Sequence, residues 1–207
     1  MSQQIIFLHG LHSSPGSEKC KALQSFLTSQ SPGTTLSAPQ LYYDPDKNWS
    51  LLQGLVGDVL EYSGPKEFAL IGSSMGGFYA GCLSQRYGLR AALINPVVEP
   101  MALLHRVKGR QQHPVTGEVY TFSVADQQKF ERWGMLDPNG ARPGEVRAPC
   151  HMLLCLGLKD ETIDPALANT RFQRFCRIID PSGGHRFPRF QTVLPEILTF
   201  LFPRESV

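Results

Sequence analysis

Nothing in this 207-residue chain approaches the ~18 consecutive apolar residues that a membrane-spanning helix requires. Near the start, MSQQIIFLHG carries only the short apolar run Ile5 to Leu8, with no basic segment before it. That is too little for the apolar stretch of a secretory signal. Strong charge of either sign is also missing. Twenty Lys and Arg against eighteen Asp and Glu leave a formal charge of +2, so no global field favours nucleic acid or an anionic membrane. Cysteine is scarce and odd in number, five in all, which excludes a fully paired disulfide framework. The expected state is reduced and buried, as in a cytosolic protein. Cys150 and Cys155 flank His151, but in an extended segment they point to opposite faces and cannot converge on one metal ion. The glycines of GSSMGG are followed by no lysine, which excludes a P-loop, and G-x-G-x-x-G spacing is absent. No cofactor and no metal are therefore expected. Internal repeats and low-complexity tracts are absent as well.

What is present is a rhythm of strand-length apolar runs. IIFL (5 to 8), TTLSA (34 to 38), FALIG (68 to 72), AALIN (91 to 95), HMLLCLG (151 to 157) and FCRIID (175 to 180) are each bounded by turn residues. Most lack period-two alternation, which suits strands covered on both faces of a parallel sheet. Helical stripes lie between them: Leu51, Leu52, Leu55, Val56, Val59 and Leu60, then Phe190, Val193, Leu194, Ile197, Leu198 and Leu201. Alternating strand and helix predicts an α/β fold, with helices on both faces of a mostly parallel sheet of about six strands. Residues 1–207 read as one domain. Residues 97–148 interrupt the rhythm with no convincing strand. They hold one helix opening at Ser123 with Asp126 three residues on, followed by the turn chemistry of DPNG and RPG. An excursion this long between two core strands predicts a cap or lid.

The glycine-rich junction ALIGSSMGGFYAG (69 to 81) fits G-x-S-x-G in one frame only, with Ser74 at the centre and Gly72 and Gly76 on either side. A strand before it and a helix after it make this a nucleophile elbow, in which small neighbours let strand and helix approach closely. The Met75 backbone N–H then sits at a helix N-terminus facing any charge that develops beside Ser74. A serine needs a base, and this arrangement orders the partners Ser, then acid, then His, on loops after strand ends. LKDETIDP follows the HMLLCLG strand, and PSGGHRF follows FCRIID. Asp160, Asp164 and Glu161 compete for the acid. Asp164 precedes Pro165 and reads as a helix N-cap, which leaves Asp160, nearer the strand end. His185, after Gly183 and Gly184, is the base; the other histidines lie before Ser74, inside the insertion or on a strand. FLHGLHSSP follows the first strand, so the Leu11 N–H, after His9 and Gly10, completes the oxyanion hole with Met75. Val97, Val98 and Met101 are expected to join His9 and Gly10 around the acyl group. Arg106, Lys108 and Arg110 form a basic stretch that could favour an anionic leaving group such as an acyl-CoA, against the simpler reading of solvated loop charge.

With those residues marked, the chain resembles the small bacterial serine esterases of the YqiA type, within the α/β-hydrolase superfamily. The resemblance covers FLHGLHSSPGS, APQL, IGSSMGGFYA, YGLRAALINPVVEP, TGEVY and GGHRF, nearly end to end. It implies a compact hydrolase fold and activity on short acyl esters, with Ser74, Asp160 and His185 in the catalytic roles. Two positions depart from the usual pattern: Lys159 stands where a glycine commonly precedes the acid, and no residue separates Gly184 from His185. The expected chemistry is acyl transfer to water through an acyl-serine, rising with pH as the imidazole loses its proton. A fold of this kind that binds a ligand or partner without catalysis, and acyl transfer to an alcohol or amine, are the competing readings.

Overall fold

The computed structural model describes residues 3–62, 64, 66–104, 107, 109–133 and 151–203. Its centre is six parallel strands: β1 (Gln3–Leu8), β2 (Thr34–Ser37), β3 (Phe68–Ser73), β4 (Arg90–Ile94), β7 (His151–Gly157) and β8 (Cys176–Asp180). They lie in the order β2-β1-β3-β4-β7-β8. From β1 the chain moves outward to β2, then returns to place β3 on the other side of β1. The order therefore reverses between β1 and β3, and loops leaving their carboxyl ends diverge to open a crevice.

Alternate residues of each central strand feed two separate cores. Leu70, Leu93 and Leu154 face one way, with α2 (Pro45–Tyr62), α3 (Met75–Tyr87) and α6 (Pro165–Arg171). Ile71, Ile94 and Leu153 face the other way, onto Leu23 and Leu27 of α1 (Glu18–Gln30) and Val193 and Ile197 of α7 (Phe190–Leu201). Burial on both faces is why these strands show no polar alternation. The edge strand β8 differs: Cys176 is exposed, a correction to the expectation that every cysteine is buried, because no strand covers that side. Cys20, Cys82 and Cys155 are free and buried; Cys150 lies outside the described residues. Among the described residues no helix is long and apolar enough to cross a membrane.

The helix α2 carries two exposed glycines, Gly54 and Gly57, where an added Cβ would meet nothing within 4 Å. Each glycine costs the helix backbone entropy without serving a close approach. Gly54→Ala and Gly57→Ala are each expected to raise stability by about 0.5–1 kcal/mol, read as a higher midpoint in chemical denaturation.

Residues 97–148 hold more structure than the sequence pattern suggests. The described part contains α4 (Pro100–Leu104), the antiparallel hairpin β5 (Arg110–Gln112) and β6 (Val119–Thr121), and α5 (Val124–Trp133). The hairpin corrects the expectation of no strand. Its arms are three residues each and mostly polar, so they carry no apolar periodicity to read. Helix α5 does open as expected: Asp126 Oδ2 accepts from the Ser123 N–H at 2.8 Å and from its hydroxyl at 2.9 Å. DPNG and RPG lie outside the described residues, as do Arg106 and Lys108; Arg110 is exposed on β5.

Candidate active site

Ser74 sits between β3 and α3 with φ 57° and ψ −120°, a backbone conformation that ordinary residues avoid. Its surroundings hold it there. The Ser74 N–H donates to Ile94 O at 2.9 Å, and its carbonyl accepts from Val97 N at 3.1 Å and Phe78 N at 3.2 Å. The flanking glycines are required by contact. A Cβ on Gly72 would lie 2.2 Å from Gly76 O, and one on Gly76 would lie 2.0 Å from Leu8 O. Helix α3 is thus pressed against β1 and β3 at a distance only glycine permits.

Three side chains from three strand ends meet at this point. His185 Nε2 lies 3.2 Å from Ser74 Oγ, and His185 Nδ1 lies 2.7 Å from Asp160 Oδ2. Because the carboxylate can only accept, Nδ1 carries the proton and Nε2 is left to accept from the serine hydroxyl. Asp160 is 1% exposed at the side chain. Its Oδ1 accepts from Thr162 N and Ile163 N, both at 2.8 Å, which fixes the carboxylate plane. Asp164 does what its position before proline implies and caps α6, accepting from Ala166 N at 2.9 Å.

The loop after β1 closes on the serine from the other side. A Cβ on Gly10 would stand 3.1 Å from Ser74 Cβ, a tight approach, so this loop lies directly against Ser74. Among the described residues, neither the Leu11 N–H nor the Met75 N–H has an acceptor. Met75 opens α3, where the first N–H groups have no intrahelical partner. His9 serves as loop scaffold: Nδ1 donates to Gly10 O at 2.9 Å and Nε2 accepts from Leu41 N at 3.0 Å. Burial holds its pKa below the ordinary histidine value and keeps it neutral. Both ring nitrogens are committed within the protein, while His9 and Gly10 both line the cleft beside Ser74.

The cleft beside Ser74 is lined by Leu11, Met75, Tyr79, Phe122 and Phe130, with His12 and His113 as polar points. Val97 and Val98 are instead packed into the core at 1% and 2% exposure, and Met101 packs half-buried against that core; none of the three lines this cleft. The walls of this cleft come from the loop after β1 (Leu11), from α3 (Met75 and Tyr79), and from α5 and the segment just before it (Phe130 and Phe122). Tyr120 of β6 stacks on Tyr43 at 4.5 Å and bonds to His12 Nε2. Burial pushes the Tyr120 phenol up to about 12 and lowers His12, so the phenol donates and the imidazole accepts. Lys129 of α5 pairs with Asp44 at 3.1 Å, and Trp133 Nε1 donates to Pro45 O at 3.0 Å.

Two contributors were invisible in the motif pattern. Glu161 Oε2 accepts from the His185 N–H at 3.0 Å. Asn95 donates from Nδ2 to Gly184 O and His185 O, both at 3.0 Å, while its Oδ1 accepts from Gly157 N at 2.8 Å. The one available signal for Asn95 was an asparagine at a strand end before proline, a place where positive φ is tolerated. Among the described residues no group of three or more His, Cys, Asp or Glu side chains could hold a metal ion.

Comparison with known proteins follows the same lines. The family model described as "Uncharacterised protein family (UPF0227)" matches residues 4–202. A UPF0227 protein of Shewanella woodyi is 28% identical over 199 residues, spanning 95% of this chain and 98% of that one. Among solved structures, the fluorophosphonate-binding serine hydrolase F of Staphylococcus aureus superposes with TM-score 0.69 at 13% identity, covering 98% of this chain and 84% of that one. Mouse alpha/beta hydrolase domain-containing protein 10 gives TM-score 0.68 at 18% identity, over 100% and 92% of the two chains. The Pyrococcus furiosus esterase Pf2001 gives 0.62 at 16%, over 96% and 80%. At such identities the structural likeness is one of fold. The chain belongs to the UPF0227 family, on the α/β-hydrolase fold, as its motifs had implied.

Proposed function

We propose that the protein is a serine hydrolase that cleaves short-chain carboxylic esters or thioesters through an acyl-serine. The observation that carries this reading is the unbroken hydrogen-bond chain from Ser74 Oγ through His185 to Asp160, at 3.2 and 2.7 Å. His185 Nε2 takes the Ser74 proton as Oγ adds to the acyl carbonyl carbon. The carbonyl electron pair moves to oxygen, held by the Leu11 and Met75 N–H groups. As the tetrahedral intermediate collapses, the C–O or C–S bond breaks and His185 passes its proton to the departing alkoxide or thiolate. Water repeats the sequence, releasing the acid and restoring Ser74. Asp160 keeps the imidazole in the correct tautomer and offsets its transient charge. Strain at Ser74 also favours catalysis over ligand binding alone, since a binding module gains nothing from φ 57° at that residue.

The described part of residues 97–148 acts as the cap of this site, and its aromatic lining selects the acyl group. Phe122→Ala removes one half-buried wall without opening the core. It is expected to raise kcat/KM for longer p-nitrophenyl esters relative to the acetate by about 10-fold. An unchanged ratio across a graded acyl series assigns the acyl group elsewhere. Running acyl thioesters in the same series, at low and high salt, separates ester from thioester preference and tests the basic stretch. The reading as a whole is tested by fluorophosphonate labelling: the intact protein labels, and Ser74→Ala does not.

A further inference from the structure

The Ile94–Asn95 dipeptide at the end of β4 bonds to the Ser74 backbone, to the His185 loop and to the strand end that leads into the Asp160 loop. Ile94 O accepts from Ser74 N at 2.9 Å, and Asn95 N donates to Cys155 O at 2.9 Å, extending the β4–β7 ladder beyond the last paired strand residue. From that anchor the Asn95 carboxamide reaches two segments at once. One is the base loop, whose Gly184 and His185 carbonyls accept from Nδ2. The other is the last residue of β7, Gly157, whose N–H donates to Oδ1 just before the acid loop begins. The two loops are themselves laced together, Lys159 N to Gly183 O and Leu158 N to Asp180 O, both at 2.9 Å.

The chemistry of the position is specific. Two carbonyls on one side and an N–H on the other call for a group with two donors and an acceptor in one plane, which is a primary amide. Aspartate offers two acceptors and would face two carbonyl oxygens. Leucine would leave the His185 carbonyl and the Gly157 N–H without the amide's bonds in a site where Asn95 is 1% exposed, with Gly184 O keeping only its bond from Phe187 N. Asn95 also holds φ 42°, in the left-handed region that asparagine enters more readily than most side chains.

We propose that Asn95 is a positioning residue, the brace that keeps the His185 loop and the Asp160 loop in register with the serine elbow. The proposal rests on the serine-hydrolase reading given above. Without the brace, His185 keeps its Glu161 contact but loses the hold on its carbonyl side, and the imidazole drifts from both Ser74 and Asp160. Displacements of about 1 Å in such a relay cost on the order of 10²-fold in rate.

The test uses the full chain with Asn95→Asp and Asn95→Ser, beside Leu27→Ala as a core-weakened control remote from the site and His185→Ala as the relay knockout. Rates of p-nitrophenyl acetate hydrolysis are normalised to folded protein. Far-downfield proton NMR reports the His185 Nδ1–H bonded to Asp160. Both Asn95 variants are expected to lose about 10- to 100-fold in kcat with KM near wild type, and to lose or broaden the downfield signal. Leu27→Ala is expected to keep both once corrected for folding. Wild-type kcat and an intact signal in folded Asn95 variants overturn the proposal. So does a loss that disappears on normalisation, or failure of both variants to fold, since the amide would then serve the fold alone. A fully active His185→Ala sinks the hydrolase relay itself; an inactive His185→Ala with fully active Asn95 variants sinks only the brace.

Discussion

Ser74→Ala is expected to lower kcat for p-nitrophenyl esters by on the order of 10⁶-fold and to abolish fluorophosphonate labelling. The size follows from what the substitution leaves behind. Without Oγ there is no acyl intermediate, while the Leu11 and Met75 N–H groups and the cleft still bind and polarise the ester. That remnant sustains roughly 10³- to 10⁴-fold acceleration over water, by attack of a solvent molecule. His185→Ala should fall by a similar factor, because the hydroxyl 3.2 Å away then has no base. The double variant should lose little more than either single one, since the two act as a unit. Additive losses, or a Ser74→Ala enzyme retaining a tenth of wild-type activity, would mean that another nucleophile does the chemistry. Fold should survive, because Ser74 is held through its backbone bonds and its side chain caps nothing.

The second large effect separates two aspartates four positions apart. Asp160→Asn is expected to reduce kcat by about 10⁴-fold with stability nearly unchanged. The amide can still accept from Thr162 and Ile163, yet it can also turn its NH₂ toward His185 Nδ1 and stabilise the tautomer in which Nε2 carries the proton. That tautomer cannot take a proton from Ser74. Asp164→Ala should do the reverse, costing about 1 kcal/mol through the lost α6 cap with kcat unaltered. Parallel kcat and denaturation measurements on the two variants decide it. Matching kinetic losses in both would undo the division of labour drawn here between acid and cap.

How far the sequence could be read depended on how local each signal was. The four central strands β1, β3, β4 and β7 were legible because burial on both faces forces continuous apolar runs, and Leu70 or Leu153 could not be anything but core. Gly72 and Gly76 were legible because a strand turning directly into a helix brings backbones within a distance that excludes any Cβ. Asp164 announced itself through the proline that follows. The short hairpin of Arg110–Gln112 and Val119–Thr121 did not, since arms of three residues, RQQ and VYT, are too short to show a period. The burial of Val97 and Val98 in the core was not legible for a related reason. Apolar side chains after a catalytic strand can face the pocket or the core, and hydrophobicity is the same in both.

From the amino-acid sequence alone came the sheet, the elbow at Ser74, and the chain order of serine, acid and histidine after three separate strand ends. Each of these is written in residues close together along the chain, by backbone geometry and periodic burial. The tertiary structure alone decided that Phe122 and Phe130 wall the cleft, that Tyr120 meets His12, and that Asn95 reaches Gly184 and His185. Those pairings join residues up to 108 positions apart. What sets them is the packing of whole elements against one another, and no local propensity encodes it.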